Sequence, residues 1–280
     1  MERAIGMATA SSWLSELTSY YTPSATQFNG AKSHKDAIEA RLDAVLGVYR
    51  MFEIGSLRHG TGIWLYSDAD YLVSLKGIQP DSPWTMLTKV KEALQARFTS
   101  TTITIRQPAV VCNFSDGVVE VVPGYITAES GYMIANPAGG WMKSYPEDHN
   151  RYVNEVNTKH KGGAKQLARH LKIWKYMRNV PVSSCYLEMR AAKYLDGEDT
   201  YAPLFDLHAA WKHLQTVELA ALNDPTGLGS RFGSCSSDAT KKDALSKLDS
   251  AVVRAKKALD YSLNNEHDNA IEQLKLLFNK

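Results

Sequence analysis

Hydrophobic residues in the first fifty positions recur at three- and four-residue spacing, which is typical of one face of a helix. The segments 13–20 and 36–49 both show this spacing, on either side of the polar break 29–32. Residues 63–75 change to the composition of a strand, and residues 87–98 return to helical spacing. The pattern therefore predicts two helices, a strand and a third helix, in that order.

Three short runs of β-branched and apolar residues follow, at 101–105, 109–114 and 118–122. The last run lies between Asp116-Gly117 and Pro123-Gly124, which are turn-forming pairs. Short strands that follow helices in this way predict a mixed sheet in an α/β or α+β lobe, and we expect the α+β class.

The remainder of the chain predicts helices only. A loop over 136–150, rich in Pro and Gly, marks the expected boundary between two lobes, and a Gly/Ser-rich loop covers 226–237. We therefore expect a sheet lobe of residues 1–160, with helices at its N-terminus, and a helical lobe of residues 161–280. The predicted helices of the second lobe are 164–178, 184–195, 204–222, 239–262 and 268–278.

The composition is consistent with this prediction of a globular protein with two lobes. The chain has 280 residues, a length that suits about two domains. Its 32 basic and 30 acidic residues leave a net charge of +2, so a long nucleic-acid partner is not expected. No apolar stretch approaches the roughly 18 residues of a membrane span, and the N-terminus lacks the apolar core of a signal peptide. We expect a cytoplasmic protein without a membrane partner.

The three cysteines, Cys112, Cys185 and Cys235, are far apart and form no CxxC pair. Their spacing predicts reduced thiols rather than disulfides or a zinc site, and each is expected to be a small buried hydrophobic residue. The histidines show no metal-binding spacing either.

Candidate chemistry begins with Asp68 and Asp70, which are two residues apart. On a strand they point to the same face, where two like charges repel and raise a pKa. A divalent cation such as Mg²⁺ or Mn²⁺ would relieve that conflict, whereas a solvated strand end is the alternative. Gly55-Ser56, upstream, would allow a phosphate to approach the backbone, or would form an ordinary turn.

A third acid, Glu120, interrupts the apolar run 118–122. An unpaired carboxylate in a buried strand is costly, so a metal held by a neighbouring strand would be a suitable partner. The alternative is an edge strand with Glu120 pointing to water.

Together these residues resemble the polymerase-β-like nucleotidyltransferases, in which a Gly-Ser, an Asp-x-Asp and a carboxylate on a later strand form the signature. Gly60-Thr61 and the Ser67 that precedes Asp68 narrow the resemblance to the cyclic GMP–AMP synthase-like branch (CD-NTase, SMODS-type). This branch includes the bacterial cyclic-oligonucleotide synthases of antiphage defence. Residues 120–123 (EVVP), 171–175 and 180–188 are also similar to it. Cys185 stands where some relatives have a base-stacking aromatic residue.

The resemblance implies a catalytic lobe and a helical lobe with a nucleotide cleft between them. It implies metal-dependent nucleotidyl transfer, in which a hydroxyl attacks the α-phosphorus of a nucleoside triphosphate and pyrophosphate leaves. The expected metal ligands and catalytic residues are Asp68, Asp70 and Glu120, holding two Mg²⁺ ions that Mn²⁺ can replace. The expected nucleotide- and phosphate-binding residues are Gly55, Ser56, Lys172, Lys175 and Ser184.

The implied substrates are ATP, GTP or both, with pyrimidine nucleotides as further candidates. The implied product is a cyclic di- or trinucleotide second messenger that a separate effector protein reads. One alternative is a linear oligonucleotide synthase or an RNA-directed nucleotidyltransferase. The other is a non-catalytic nucleotide-binding scaffold.

Overall fold

The structure is a computed structural model that describes residues 9–24 and 29–280, and these residues form two compact units. The sheet unit comprises the described residues of Pro23–Arg151 together with Thr226–Ser230. The helical unit comprises the described residues up to Thr22, Tyr152–Pro225 and Arg231–Lys280. All seven strands of the described chain lie in the sheet unit, which confirms the predicted α+β class.

Eleven helices and seven strands follow one another along the described residues. The helices are α1 (Ala10–Tyr21), α2 (Asn29–Ser33), α3 (Lys35–Leu46), α4 (Gly55–His59), α5 (Pro83–Arg97), α6 (Pro146–Lys159), α7 (Gly163–Met177), α8 (Ser184–Asp196), α9 (Pro203–Thr216), α10 (Asp238–Leu263) and α11 (His267–Phe278). The strands are β1 (Val48–Glu53), β2 (Ala69–Leu75), β3 (Thr102–Arg106), β4 (Ala109–Phe114), β5 (Gly117–Ile126), β6 (Tyr132–Ala135) and β7 (Trp141–Ser144).

The sheet is mixed and runs in the order β1-β2-β5-β4-β3, with β6 pairing with β5 and β7 pairing with β6. The β2–β5 pair is parallel and the others are antiparallel. Nearly every residue of β2 is buried, as expected for a strand that is covered on both faces. β5 also lies inside the sheet, between β2 and β4.

The two faces of the sheet have different cores. One face packs against α3 and α5 through a large apolar cluster that includes Leu42, Val73, Leu94 and Val121. The opposite face carries a smaller cluster. Because side chains alternate along a strand, Leu72 and Val122 in the smaller cluster share their face with Asp70 and Glu120. The acidic residues therefore lie beside a small apolar core, away from α3 and α5.

The helical unit is built on buried aromatic side chains, among them Trp174 and Trp211, whose ring centroids lie 5.8 Å apart. Serine side chains begin two of its helices: Ser183 accepts a hydrogen bond from the backbone of Tyr186, and Ser237 forms a capping box at the start of α10. Within residues 9–24 and 29–280, no helix combines the length and the apolar character that a membrane crossing requires.

Several elements differ from their predicted bounds. The helix predicted over 36–49 ends at Leu46, because Gly47 adopts a φ of 74° and Val48 begins β1. Within the predicted loop 136–150 the structure has β7 and the start of α6. The last predicted turns of α9, beyond Thr216, are not helical.

Two further features differ from the expectations. α1 packs against α7, α9 and α11 in the helical unit, whereas the expected division at residue 160 placed it in the sheet lobe. Of the cysteines, Cys112 is buried, but Cys185 is exposed and Cys235 is partly exposed. The expectation that all three are buried is therefore wrong for the latter two.

A buried histidine joins α1 to α7 within the helical unit. The Nε2 atom of His170 lies 2.8 Å from the hydroxyl of Thr18 and 3.1 Å from the backbone oxygen of Leu14. Burial in this core lowers the pKa of His170 to about 4, because the charged form loses its hydration.

The pH dependence of stability should reflect His170. An unfolded histidine has a pKa of about 6.5, so the unfolded state binds the proton more readily than the folded state. The stability associated with neutral His170 is complete above about pH 6.5 and is lost as the pH falls towards 4. In urea denaturation, the wild type should lose up to about 3 kcal/mol more unfolding free energy over this range than His170→Gln. Equal slopes for the two proteins would contradict this assignment.

Candidate active site

The three predicted acids converge at one end of the parallel β2–β5 pair. Asp70 is the second residue of β2, and its Cα is the direct register partner of the Cα of Glu120 in β5. Asp68 lies two residues before Asp70, just ahead of the strand. Because β5 pairs on both sides, Glu120 is not on an edge strand, and its side chain is only 15% exposed.

Gly55 lies directly against the carboxylate of Asp70. Its backbone has a φ of 65°, and a Cβ built on it would fall 2.4 Å from Oδ2 of Asp70. The backbone of the preceding residue is anchored to the same position, since the N–H of Ile54 donates to the carbonyl oxygen of Asp70 over 2.8 Å. A glycine is therefore required here both for its left-handed backbone and for its missing side chain.

The segment from Ser56, in α4, to Asp68 folds back on itself. The carbonyl of Ser56 accepts a hydrogen bond from the N–H of Thr61 at 2.9 Å, and the Ser56 hydroxyl lies 3.4 Å from that of Ser67. Ser67 in turn accepts from the N–H of Ile63 at 2.8 Å. The predicted Gly-Ser and Asp-x-Asp segments are thus brought together by local hydrogen bonds.

A basic residue that the sequence reasoning did not single out joins this group. Nη2 of Arg106, the last residue of β3, contacts Oε1 of Glu120 and lies 3.5 Å from Oδ2 of Asp68. The Arg106 side chain is 64% exposed, whereas that of Asp68 is 34% exposed. One guanidinium therefore bridges two of the three predicted metal ligands.

The pKa of Asp68 is raised above its usual value, chiefly because burial removes water from the carboxylate. The charge of Arg106 acts in the opposite direction and limits the rise. The direction agrees with the sequence-based expectation, but the principal cause is burial rather than repulsion between two aspartates.

The acids suit a hard divalent cation by chemistry, because carboxylate oxygens are its preferred ligands. Because Gly55 has no side chain, the Asp70 carboxylate can occupy the space beside it. Among residues 9–24 and 29–280, however, no three His, Cys, Asp or Glu side chains are arranged so that they could hold a metal. The residue types therefore fit a metal, while Asp68 and Glu120 are turned towards Arg106.

Two of the predicted phosphate-binding residues meet in the helical unit. Nζ of Lys175 in α7 donates to the hydroxyl of Ser184, the first residue of α8, at 2.6 Å. The hydroxyl of Tyr176 lies 3.1 Å from the same Ser184 oxygen. The end of α7 and the start of α8 thus present a lysine and two hydroxyl groups together.

Lys172 has a different environment. Its side chain is 1% exposed, and its Nζ lies 2.5 Å from Oε1 of Glu188, which is 3% exposed. On the same helix Leu171 and Trp174 are buried. Lys172 was expected to bind phosphate together with Lys175, but the structure directs its ammonium group into the core, towards a carboxylate.

Arg106 and Glu188 are the charged residues that sequence reasoning missed. The signal for Glu188 was a lone acid between the apolar residues Leu187 and Met189, which indicates a buried partner. Arg106 had no comparable signal, since its contact with Glu120 depends on how β3, β4 and β5 pair.

Comparison with known proteins places this chain in a family. The family model for the Second Messenger Oligonucleotide or Dinucleotide Synthetase (SMODS) domain matches residues 7–157, more than half of the chain. The chain belongs to this family, which confirms the resemblance drawn from the motifs. Membership implies the use of a divalent metal in general.

Individual relatives are distant in sequence but close in fold. A protein of Bacillus cereus (strain VD146) named a probable cyclic nucleotide synthase is 25% identical over 203 residues, and the match spans 69% of this chain and 61% of that protein. CdnC of E. coli MS115-1, solved with ATP, superimposes with a TM-score of 0.75 at 16% identity over 95% of this chain and 96% of that one. CdnG of Bradyrhizobium diazoefficiens, solved with GTP, superimposes with a TM-score of 0.71 at 12% identity, over 98% of this chain and 99% of that one.

A side chain at position 55 should displace the carboxylate of Asp70. We expect Gly55→Ala to lose more unfolding free energy than the roughly 1 kcal/mol that a left-handed backbone costs alanine. Gly77→Ala is the matched control, because Gly77 also has a positive φ (87°) but has open space around its Cβ position. Urea denaturation of both variants measures the difference, and equal losses would show that Asp70 tolerates the added methyl group.

The buried ion pair of Lys172 and Glu188 in the helical unit should contribute to stability only as a pair. Lys172→Met leaves Glu188 in the core without the ammonium group and should lower the unfolding free energy by about 3 kcal/mol. Adding Glu188→Leu should restore most of that loss, since an apolar pair avoids the cost of burying charge. Urea denaturation of the single and double variants tests this. A single variant with full stability but a raised nucleotide KM would instead place Lys172 in phosphate binding.

Proposed function

We propose that this protein is a cyclic oligonucleotide synthase that joins nucleoside triphosphates into a cyclic di- or trinucleotide and releases pyrophosphate. The single observation that carries the proposal is the register of β2 and β5, which sets Asp70 opposite Glu120 and beside Gly55, the first residue of α4, in a chain of the SMODS family. The match to a probable cyclic nucleotide synthase of Bacillus cereus supports the same activity. The chain covers 61% of that relative's length.

In each transfer step the oxygen of an acceptor hydroxyl forms a bond to the α-phosphorus of a triphosphate, and the bond from that phosphorus to the pyrophosphate oxygen breaks. Asp68, Asp70 and Glu120 would hold two Mg²⁺ ions, or Mn²⁺ in their place, and these ions would supply positive charge to the reacting oxygens. Glu120 would hold the ion beside the acceptor hydroxyl and so favour the loss of its proton. Gly55 lets the backbone lie directly against the Asp70 carboxylate, and the Ser56 hydroxyl and N–H would offer hydrogen bonds to phosphate oxygens.

Lys175 and Ser184 are the helical-unit residues that we assign to the triphosphate. Their side chains already meet at 2.6 Å, so a cation and a hydroxyl donor are held at one place. Phosphate oxygens accept hydrogen bonds from both types of group, and the lysine compensates part of their charge. The burial of Lys172 against Glu188 leaves Lys175 as the stronger of the two lysine candidates.

ATP and GTP are the substrates we propose, since CdnC of E. coli MS115-1 and CdnG of Bradyrhizobium diazoefficiens were solved with them. The nearly balanced charge of the chain argues against a long nucleic-acid substrate. We place the enzyme in the cytoplasm, where a separate effector would read its product in antiphage signalling. An effector gene beside this one in the genome would support that role.

Neutralising the two aspartates should abolish turnover. We expect the double substitution Asp68→Asn with Asp70→Asn to slow pyrophosphate release from ATP and GTP by at least about a hundredfold in Mg²⁺ or Mn²⁺, because the ligands that concentrate positive charge at the reacting phosphate are lost. Asp81→Asn is the matched control, because it removes an exposed acid of the same unit. Unchanged turnover in the double variant would falsify the metal assignment.

The nature of the product decides between the proposed function and its alternatives. Incubation with labelled nucleotides in all combinations, followed by phosphatase, separates the cases. Phosphatase leaves a cyclic product unchanged, because that product has no terminal phosphate. A linear oligonucleotide loses its 5′ phosphates and is converted to a different, less charged species. Absence of any product from correctly folded protein, with nucleotide binding retained, would instead favour the non-catalytic scaffold.

A further inference from the structure

Arg106 is positioned by the sheet itself. In the register of the sheet, Thr104 of β3 lies opposite Val111 of β4, and Val111 lies opposite Glu120 of β5. Side chains of paired residues share a face, and Arg106 follows Thr104 by two residues, so it is on the same face. Its long side chain then reaches back across β4 to the carboxylate of Glu120.

The contacts of Arg106 use the oxygens that a metal would need. Nη2 contacts Oε1 of Glu120 and lies 3.5 Å from Oδ2 of Asp68. A divalent cation binds carboxylates through the same lone pairs, and two positive charges at one position repel each other. Arg106 and a metal ion therefore cannot hold these two oxygens at the same time.

The contact of Arg106 with Glu120 and Asp68 can be exchanged for a metal ion. The Arg106 side chain is 64% exposed, so it can leave the carboxylates for water without breaking a buried core. A divalent cation gains several carboxylate ligands at once, whereas the guanidinium, among the described residues, has only its contacts with Glu120 and Asp68 to lose.

Resting on the proposed function, we propose that Arg106 is an internal competitor for the metal site. It is a positioning residue that holds Asp68 and Glu120 in place and is displaced when a divalent cation binds. The competition sets the metal concentration that the enzyme needs. A shorter, uncharged residue at position 106 should then leave the carboxylates more available to metal.

Binding of Mn²⁺ without nucleotide tests this inference directly. The electron paramagnetic resonance signal of free Mn²⁺ reports the bound fraction, so no turnover is required. We expect Arg106→Ala to bind Mn²⁺ about fivefold more tightly than the wild type, a change that corresponds to about 1 kcal/mol and to the upper range for exposed ion pairs. Arg106→Lys, which keeps the charge but loses the planar fork, should fall between the two.

Arg97→Ala is the matched control, because it removes the same charge from the same unit. The guanidinium of Arg97 lies over the ring of Phe98, 5.4 Å from its centroid. Its removal should leave the Mn²⁺ affinity within about twofold, a bound set by screening of charges at a distance in 0.15 M salt. Thermal unfolding of each variant confirms that it is folded.

Three outcomes would overturn the inference: an unchanged affinity in Arg106→Ala, a weaker affinity there, or an equal gain in Arg97→Ala. If Mn²⁺ binding by the wild type is lost in Asp68→Asn but unaffected in Arg106→Ala, the proposed function stands and only the role of Arg106 fails. If Asp68→Asn binds Mn²⁺ as the wild type does, the metal assignment in the proposed function fails as well.

Discussion

The parallel register between β2 and β5 is the constraint on which the site depends. It sets Asp70 directly beside Glu120, while Asp68, just ahead of β2, lies 3.5 Å from the same Arg106 that contacts Glu120. A shift of one residue would turn Glu120 towards the apolar cluster beneath α3 and α5 and would destroy the arrangement. The buried valines on the other face, such as Val119 and Val121, oppose such a shift. The packing of the large core therefore determines the position of the carboxylates.

Charge is accommodated differently in the two units. In the sheet unit, Asp68 and Glu120 lie at the margin of a small apolar cluster, within reach of the exposed Arg106. In the helical unit, Lys172 and Glu188 are almost fully enclosed. A pair at the margin can exchange its partner with solvent or with a bound ion, whereas an enclosed pair is committed to one partner. The same pairing of opposite charges thus gives an adaptable site in one unit and a rigid core in the other.

Much of the fold could be predicted from periodicity, because long amphipathic segments such as α5, α7 and α10 have one dominant burial pattern. The start of β1 could not, since Val48 continues the spacing of α3 and only the backbone of Gly47 separates the two elements. α6 was missed because Pro and Gly dominate the segment before it, and its own sequence is strongly polar.

The same distinction applies to the site. Asp68, Asp70, Gly55 and Ser56 are close in sequence, and strand alternation with a family motif was enough to group them. The environments of Arg106 and Lys172 depend on partners that tertiary packing brings from other elements, 14 and 16 residues away along the chain. Helical spacing could place Lys172 beside Lys175 but could not show that a carboxylate from α8 lies in the core.

The pairing of β5 explains why Pro123 can follow Glu120 closely in the motif 120–123 (EVVP). β5 pairs with β4 as far as Val121 and with β6 from Gly124 onwards, so Pro123 lies where this strand changes neighbours on that side. Proline has no N–H to contribute to a ladder, and this gap is a position where the loss is tolerated. Because Pro123 follows Glu120 by three residues, Glu120 stays in the part of β5 that pairs with both β2 and β4. The change of neighbour from β4 to β6 comes just beyond it.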